Sequence, residues 1–460
     1  MARGAAVLAP QGVGVGTHAA ERSAVGYWPG TLMVVYTLLL VVAVRLHEFI
    51  PFIGVFKPVL VVGLVGPAMI FMHASQAAKQ AVLAHRISRL VLAYWAWVAL
   101  TVPFALWPSM AFNTWKGLIS AVLMVIAIVF CPPTRGTLHK LMTAFVVFVL
   151  IYAAYAQVFG RSIGGRLEIG GMYDSNDMAS LMAIAFPMAA GMLTRSVPGR
   201  ARVAAILAVL ALGLGVMATG SRGGVLALLA GAVVFALGFR GFRGVVVIAC
   251  LALGGVVGWA TASPEFRARM NTLTNLEDDY NLNSEAGRKA VWRRGRGYIA
   301  DNPVIGVGAG NFPMAEGEYL SASATTGKWS TAHNAYIQAY AELGVIGGSL
   351  FVGMLLLGVR CALPMWRTAP PRTGRAPPLD RPELLAALAA FAAGGYFLSH
   401  AYFGPLFALL GFIAVADRVR SFEATAPRSA APSPASIFRQ PGERGGLAFQ
   451  LRSAVQPRGI

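Results

Sequence analysis

TASPEFRARMNTLTNLEDDYNLNSEAGRKAVWRRGRGYIADNPVIGVGAGNFPMAEGEYLSASATTGKWSTAHNAYIQAYAE, residues Thr261–Glu342, is the long polar stretch of this chain, and apolar runs flank it on both sides. Polar sequence of this length has no place in hydrocarbon, so it is expected to stand as one loop at one membrane face, held there by the rest of the chain. Its right edge carries His333-Asn334, its middle carries Arg288-x-x-x-Trp292, and a short loop upstream carries Gly220-Ser221-Arg222-Gly223-Gly224. These three pieces are expected to meet over a phosphate.

Composition agrees with a membrane setting. Of 460 residues, 57% are hydrophobic and 12% charged, with a mean hydropathy of +0.63, outside the range of soluble globular chains. The net charge of +19 could point to nucleic acid, but a membrane protein distributes its cations by loop, and no nucleic-acid partner is expected. Cys131, Cys250 and Cys361 fall in or at the end of apolar runs without CxxC spacing, which argues against disulfide and zinc roles.

A spanning helix needs roughly 17 to 25 apolar residues. On that criterion the chain is expected to be an all-α polytopic membrane protein of about twelve spans. They lie near Tyr27–Val44, Pro58–Met72, Leu90–Trp107, Trp115–Cys131, Leu138–Phe159, Asp177–Leu193, Val203–Ala218, Gly223–Phe239, Val245–Ala260, Leu343–Cys361, Leu384–His400 and Tyr402–Ala416. The layout is a disordered N-terminal segment (1–26), nine spans (27–260), the large loop (261–342), three more spans (343–417) and a disordered basic tail (418–460). Alternate connections carry the cations, among them Lys79, Arg86 and Arg89, Arg135 and Lys140, Arg195, Arg200 and Arg202, Arg240 and Arg243, and Arg367 to Arg381. By the positive-inside rule these face the cytoplasm together with both termini. The long stretch, with eight Lys or Arg against nine Asp or Glu, then faces outward, which in a Gram-negative cell is the periplasm.

Within the loop, Asn283-Ser284 is expected to cap a helix running to about Asp301 and stopped by Asn302-Pro303. Arg288, Trp292, Arg296 and Ile299 would share one face, with Trp292 against the membrane surface. The other cations of that helix are read as structural or lipid-facing. Gly306-x-Gly308-x-Gly310 reads as a turn-rich connector. A second helix is expected from His333-Asn334, with Tyr336, Ile337, Tyr340 and Leu343 as an apolar side resting on the bilayer.

Arg222 is flanked by glycines that permit sharp turning and close ligand approach, at the start of a helix whose free N–H groups favour an anion. Its planar guanidinium suits bidentate phosphate binding, although an arginine at a span end is often only a snorkelling residue. Gly223, Gly224, Trp292 and Asn334 join Arg222 and Arg288 as candidate substrate contacts. His333 is placed to orient or deprotonate a substrate hydroxyl, and no metal-ligand spacing surrounds it. Asp174 and Asp177 fit a carboxylate site or ordinary helix caps equally well and receive no catalytic role.

Taken together, Thr219-Gly-Ser-Arg222-Gly-Gly, Arg288-x-x-x-Trp292, Asn302-Pro-x-x-Gly306-x-Gly308-x-Gly310-x-Phe312 and His333-Asn334-x-Tyr336-x-Gln338-x-x-x-Glu342-x-Gly344-x-x-Gly347 resemble the O-antigen ligase and O-antigen polymerase superfamily of bacterial membrane glycosyltransferases, over roughly Gly170 to Gly348. The resemblance implies a GT-C-like helical fold in the inner membrane. It also implies metal-independent, inverting transfer of a glycan from an undecaprenyl-diphosphate carrier to an acceptor hydroxyl, with no cofactor. The acceptor would be a glycan or lipid A-core, and membrane lipids and polysaccharide assembly proteins would be neighbours. Arg222 and Arg288 would stabilise the departing diphosphate, and His333 would act on the acceptor hydroxyl. A transporter or flippase of lipid-linked sugars is the competing class, disfavoured because the expected spans carry few ionisable residues.

Overall fold

The computed structural model describes residues 27–163, 165–169, 173–195, 198–271, 284, 287–323, 329–367 and 379–425. The expected tail beyond 425 and the segment 1–26 lie outside the described residues, as does Asn283. The fold is helical. In chain order the elements are α1 (Thr31–Leu38, continued by a π turn over Leu39–Ala43), α2 (Pro58–His73), α3 (Gln76–Ala84), α4 (Arg86–Thr101), α5 (Pro108–Val129) and α6 (Arg135–Phe159). After a hairpin of β1 (Arg161–Ile163) and β2 (Arg166–Glu168) come α7 (Ser175–Leu193), α8 (Gly199–Ala218), α9 (Arg222–Leu237), α10 (Phe242–Thr261) and α11 (Pro264–Asn271). The remainder is α12 (Arg288–Asp301), α13 (Phe312–Ala322), α14 (Ala335–Ala362), α15 (Pro382–Gly395) and α16 (Gly404–Thr425).

Among the described residues, 7 helical segments are long and apolar enough to cross a membrane: Arg86–Phe104, Pro108–Val129, Arg135–Phe159, Ser175–Leu193, Gly199–Ala218, Phe242–Ala260 and Ala335–Met365. Shorter apolar helices lie at Thr31–Ala43, Pro58–His73, Arg222–Leu237 and Pro382–Gly395. The chain is thus a multi-pass membrane protein. Burial sorts the helices into an inner and an outer set. The α7 span is 78% buried and packs against α6, α8, α9 and α15, whereas the α10 span is 11% buried and stands at the periphery. An apolar helix with little protein around it is one that lipid must cover. The last helix, expected to be short, runs 22 residues and is central, with Leu406–Leu410 and Phe412–Ala416 fully buried.

Small residues set these inner contacts. A Cβ on Gly224 of α9 would lie 2.3 Å from Ala179 Cβ of α7, and one on Gly231 would lie 3.0 Å from Ala390 Cβ of α15. Only a bare Cα lets the backbones come this close.

The two ends of the bundle differ in chemistry. At one end Arg195 after α7 pairs with buried Glu383 of α15, and Arg135 makes a two-pronged pair with Glu423 at 2.6 and 2.7 Å. At the same end His85 and Arg420 share Asp417. The opposite end holds the hairpin, the Arg222 turn, α11 to α13 and the turn after α15, and every candidate residue lies there.

Three expectations change. The eleventh apolar segment was expected to run to His400, but α15 stops at Gly395 and Tyr396–Phe403 is irregular. The helix at Arg288 begins there, with Gly287 as N-cap and no side-chain cap, four residues past the expected start. The helix after Asn334 does not rest on a bilayer surface. It passes into the bundle, with Gln338, Ala339, Ala341, Glu342 and Leu343 buried.

Candidate functional site

The backbone at Gly344 leaves the helical region (φ +67), which breaks α14 and strips carbonyls near the break of their helical partners. The glycine connector supplies replacements. Val307 N–H donates to the Ala341 carbonyl and Gly308 N–H to the Glu342 carbonyl, each at 2.9 Å, while Trp97 Nε1–H donates to the Leu343 carbonyl at 2.9 Å. Val345 N–H donates in turn to the Pro303 carbonyl at 2.7 Å. Gly306, Gly308 and Gly310 all have positive φ, as the turn-rich reading requires, and a Cβ on Gly344 would sit 2.0 Å from the Val304 carbonyl oxygen. Buried Glu342 closes the junction by accepting from Gly310 N–H and Tyr402 Oη–H, both at 2.8 Å.

His333 and Asn334 stand at the head of this braced half-helix. Asn334 is buried, and its Oδ1 accepts from the N–H groups of Tyr336 and Ile337 at 2.9 and 3.0 Å. It is the N-cap of α14, so its Oδ1 is engaged in supporting that helix. His333 is half-buried with φ +47, a left-handed conformation that an L-residue adopts only under constraint, and its N–H donates to Ser399 Oγ at 2.8 Å.

Arg288 opens α12, and its guanidinium lies 5.9 Å from the centre of the Phe397 ring. Trp292, one turn on, is half-buried and held by protein groups. Its Nε1–H donates to the Ala332 carbonyl at 2.9 Å and its ring meets Tyr396 edge-on at 5.3 Å. The helix turns Val291, Gly295, Tyr298 and Ile299 inward toward Phe312 and Ile337. Arg294 departs from the lipid-facing reading of its neighbours: its Nε and Nη2 reach fully buried Glu316 of α13 at 2.9 and 2.6 Å, and Tyr298 Oη–H joins the same carboxylate at 2.9 Å. Arg293 and Arg296 are exposed.

Arg222 is the first residue of α9 and is half-buried. Ser221 is the N-cap, accepting from Gly224 N–H at 3.1 Å and donating to Asn176 Oδ1 at 2.8 Å, which ties this turn to the start of α7. The flanking glycines permit close packing, since a Cβ on Gly223 would meet Phe397 Cβ at 3.1 Å and one on Gly224 would meet Ala179.

Four consecutive residues, Tyr396-Phe397-Leu398-Ser399, therefore collect the candidates. Phe397 packs on Gly223 beside Arg222 and lies under Arg288, Tyr396 holds Trp292, and Ser399 anchors His333. Three Cα steps span at most about 11 Å, so the two arginines and the histidine share one neighbourhood.

The next residue, His400, was not among the candidates. It is buried, with Nε2 2.8 Å from Asp177 Oδ1, Nδ1 3.5 Å from Ser180 Oγ, and its ring stacked 4.0 Å from Phe403. Asp174 is the N-cap of α7 in a capping box with Asp177, so one acid is structural and the other also reaches His400. A cavity of about 230 Å³ adjoins this pair, lined among others by Arg45, Tyr173, Asp177, Ser399 and His400. Arg45 holds a left-handed φ of +62, pairs with Glu48 and lies 5.6 Å from the Tyr173 ring centre. The available sequence signal for this region was Ser399-His400, a polar pair where two apolar runs meet.

Comparison with known proteins bears on these residues. Residues 206–352 match the family described as O-antigen ligase. No curated protein matches the chain. Among solved structures, a chain from a peptidoglycan synthase complex studied for the coordination of polymerization and crosslinking is similar at 17% identity and a TM-score of 0.40, covering 75% of this chain and 99% of that one. The family match spans Arg222, Arg288 and His333 in one continuous stretch, and over that stretch the chain is similar to the O-antigen ligase family.

Proposed function

We propose that the protein is a glycosyltransferase of the inner membrane. It moves a glycan from an undecaprenyl-diphosphate carrier to an acceptor hydroxyl on the outer face, without metal and with inversion at the anomeric carbon. The observation that carries this reading is that Arg222, Arg288 and His333, all three within the stretch that matches the family, gather on Tyr396–Ser399, which lies outside it. In the reaction the acceptor oxygen attacks the anomeric carbon and the bond from that carbon to the phosphate oxygen breaks. The electron pair leaves with the diphosphate, and His333 takes the hydroxyl proton. Arg222 and Arg288 stabilise the charge that builds on the leaving group, where fixed cations act most strongly. The acceptor is a lipid A-core sugar or the end of a growing glycan.

In this reading the chain crosses twelve times: the 7 long apolar segments, the four shorter apolar helices and α16. Both termini are cytoplasmic. Reporter fusions at Glu277, Lys328 and Thr425 test the topology, with a phosphatase reporter expected to be active at the first two and silent at the third. The activity is tested in proteoliposomes loaded with an undecaprenyl-diphosphate-linked oligosaccharide. Transfer releases undecaprenyl diphosphate only when acceptor is added, and the new linkage has inverted configuration. A flippase instead moves the intact donor across the bilayer without releasing diphosphate, and that result would replace the transferase reading.

A further inference from the structure

The turn that gathers the candidates has two halves. Tyr396 and Phe397 touch Trp292, Arg288 and Gly223 beside Arg222, whereas Ser399, His400, Tyr402 and Phe403 line the cavity of about 230 Å³ between the end of α1 and the start of α7. His333 joins the halves, since its N–H donates to Ser399 Oγ and Ser399 is part of the cavity wall. A second tie comes from α7: Asn176 Oδ1 accepts from Ser221, the N-cap next to Arg222, and the following residue, Asp177, lines the cavity. An inverting displacement brings the acceptor in on the side away from the leaving group. A pocket on the Ser399 half of the turn, with the arginines on the Phe397 half, suits that approach.

The wall has the chemistry of a site for a neutral, hydroxyl-rich ring. Its ionisable groups come in opposite pairs, Arg45 with Glu48 and His400 Nε2 with Asp177 Oδ1 at 2.8 Å, so it carries no excess of cations to draw an anion. Within the second pair the exposures differ: the His400 side chain is 2% exposed and the Asp177 side chain 28%. The carboxylate is thus the half that the contents of the cavity can reach. Its other contact is the 3.4 Å approach of Asp174 N–H to Oδ2, and a carboxylate accepts about four hydrogen bonds. Tyr173 and Tyr402 donate their hydroxyls elsewhere, to the Ala43 carbonyl at 2.9 Å and to Glu342 at 2.8 Å, so both offer ring surface to the cavity. Ring surface beside a carboxylate and a guanidinium matches the C–H faces and O–H edges of a pyranose, and the volume suits one such ring.

We propose that this cavity seats the uncharged sugar ring that carries the acceptor hydroxyl, with Asp177 and Arg45 hydrogen-bonded to its other hydroxyls and the reacting oxygen turned toward His333. This rests on the transfer reading above. Gly117 gives the sharpest test, because it lines the cavity, is exposed, and a Cβ on it would meet nothing within 4 Å. Gly117→Leu and Gly117→Phe therefore fill the space from an open position. Transfer is measured in proteoliposomes with lipid A-core as acceptor in one series and carrier-free repeat-unit glycan in another. In the series that supports transfer, both variants raise the acceptor KM about 10-fold or more, leave the donor KM unchanged and melt like wild type. Asp177→Asn and Arg45→Gln raise the acceptor KM by about 10-fold each, on the scale of one lost charge-assisted contact.

The first sugar of the donor has the same ring chemistry, and the kinetic split separates the two sources. A raised donor KM with a normal acceptor KM gives the cavity to the donor and overturns the proposal. An Asp177–His400 pair that only pins the turn to α7 gives an early melt in Asp177→Asn with both KM values unchanged; that result, like wild-type kinetics in both Gly117 variants, also overturns it. Saturation-transfer NMR on the full chain in nanodiscs reads the cavity without catalysis, using methyl α-D-glucopyranoside and methyl α-D-galactopyranoside. At least one glycoside gives signal in wild type and in Arg200→Gln at the opposite end, and the signal is lost in Gly117→Phe and untouched by inorganic phosphate. Silence from both in wild type, or displacement by phosphate, removes the neutral-sugar site. The two readings fail separately. Transfer whose acceptor KM ignores Gly117→Phe sinks this site and leaves the transferase, whereas Gly117-sensitive glycoside contact in a protein that transfers nothing sinks the transferase and leaves the sugar pocket.

Discussion

At the Arg195 end of the bundle, arginines are matched with oxygen acceptors: Arg195 with Glu383, Arg135 with Glu423, Arg420 with Asp417, and Arg418 with the Val129 carbonyl and the Tyr27 hydroxyl. At the Arg222 end the contacts are of several kinds. Arg288 lies by an aromatic ring, Arg45 by another, and Arg269 by two further arginines, while Arg294 and Arg45 also have carboxylate partners. A matched guanidinium contributes to holding helices together and leaves little net field. A guanidinium beside a ring or near other cations adds positive potential to its surroundings. The contrast is between arginines that join elements and arginines proposed to bind, and one helix carries both, Arg294 with Glu316 and Arg288 beside Phe397.

Substitutions test this contrast, beginning with the largest effect. Glu383→Ala leaves the half-buried Arg195 without its carboxylate and is expected to cost about 3 kcal/mol of stability. That reads as an early thermal melt in detergent, with activity per folded molecule nearly unchanged; a normal melt would remove the structural half of the contrast. Arg222→Lys and Arg288→Lys retain charge but lose the fork, and each is expected to lower transfer by about 10²–10³ with a normal melt. Arg293→Lys, at an exposed position, should transfer like wild type, and equal losses in all three would return the cluster to a lipid-facing patch.

His333→Ala follows, with an expected fall of about 10² in transfer at unchanged membrane level. Near-normal product would leave this residue as a strained turn and nothing more. Arg294→Lys breaks the two-pronged contact with Glu316 and should lower stability by about 1.5–3 kcal/mol, with activity tracking the folded fraction. An activity loss beyond the folded fraction would move Arg294 to the binding class. Smallest is Arg135→Ala: that pair is about a third exposed on each side, and the melt should shift by no more than about 1 kcal/mol.

Much of this architecture was legible because hydropathy reports burial from water directly, and the long apolar helices fall where the runs predict them. Arg222, Arg288 and His333 could be singled out because each is a polar side chain at the edge of an apolar or turn-rich segment. The turn at Tyr396–Phe403 could not be read the same way. Its residues are mostly aromatic or aliphatic, so it continues the apolar run of α15 even though the helix has ended. The pairs His400 with Asp177 and Arg294 with Glu316 join residues 223 and 22 positions apart, and no local pattern announces either. Trp292 was given the right helix and the wrong neighbour for a related reason: a tryptophan suits a membrane interface and a protein groove equally well.

The break at Gly344 bears on how this protein can be re-engineered. The connector at 303–310 supplies N–H groups to the carbonyls of Ala341 and Glu342, so the outer loop and the first half of α14 are one hydrogen-bonded unit despite lying in different segments of chain. A chimera cut at Glu342 that imports a relative's loop would bring in a connector shaped to another half-helix and leave backbone acceptors bare at the edge of hydrocarbon. A transplant of acceptor specificity in this fold should carry the segment through Gly348, so that donor loop and helix break travel together.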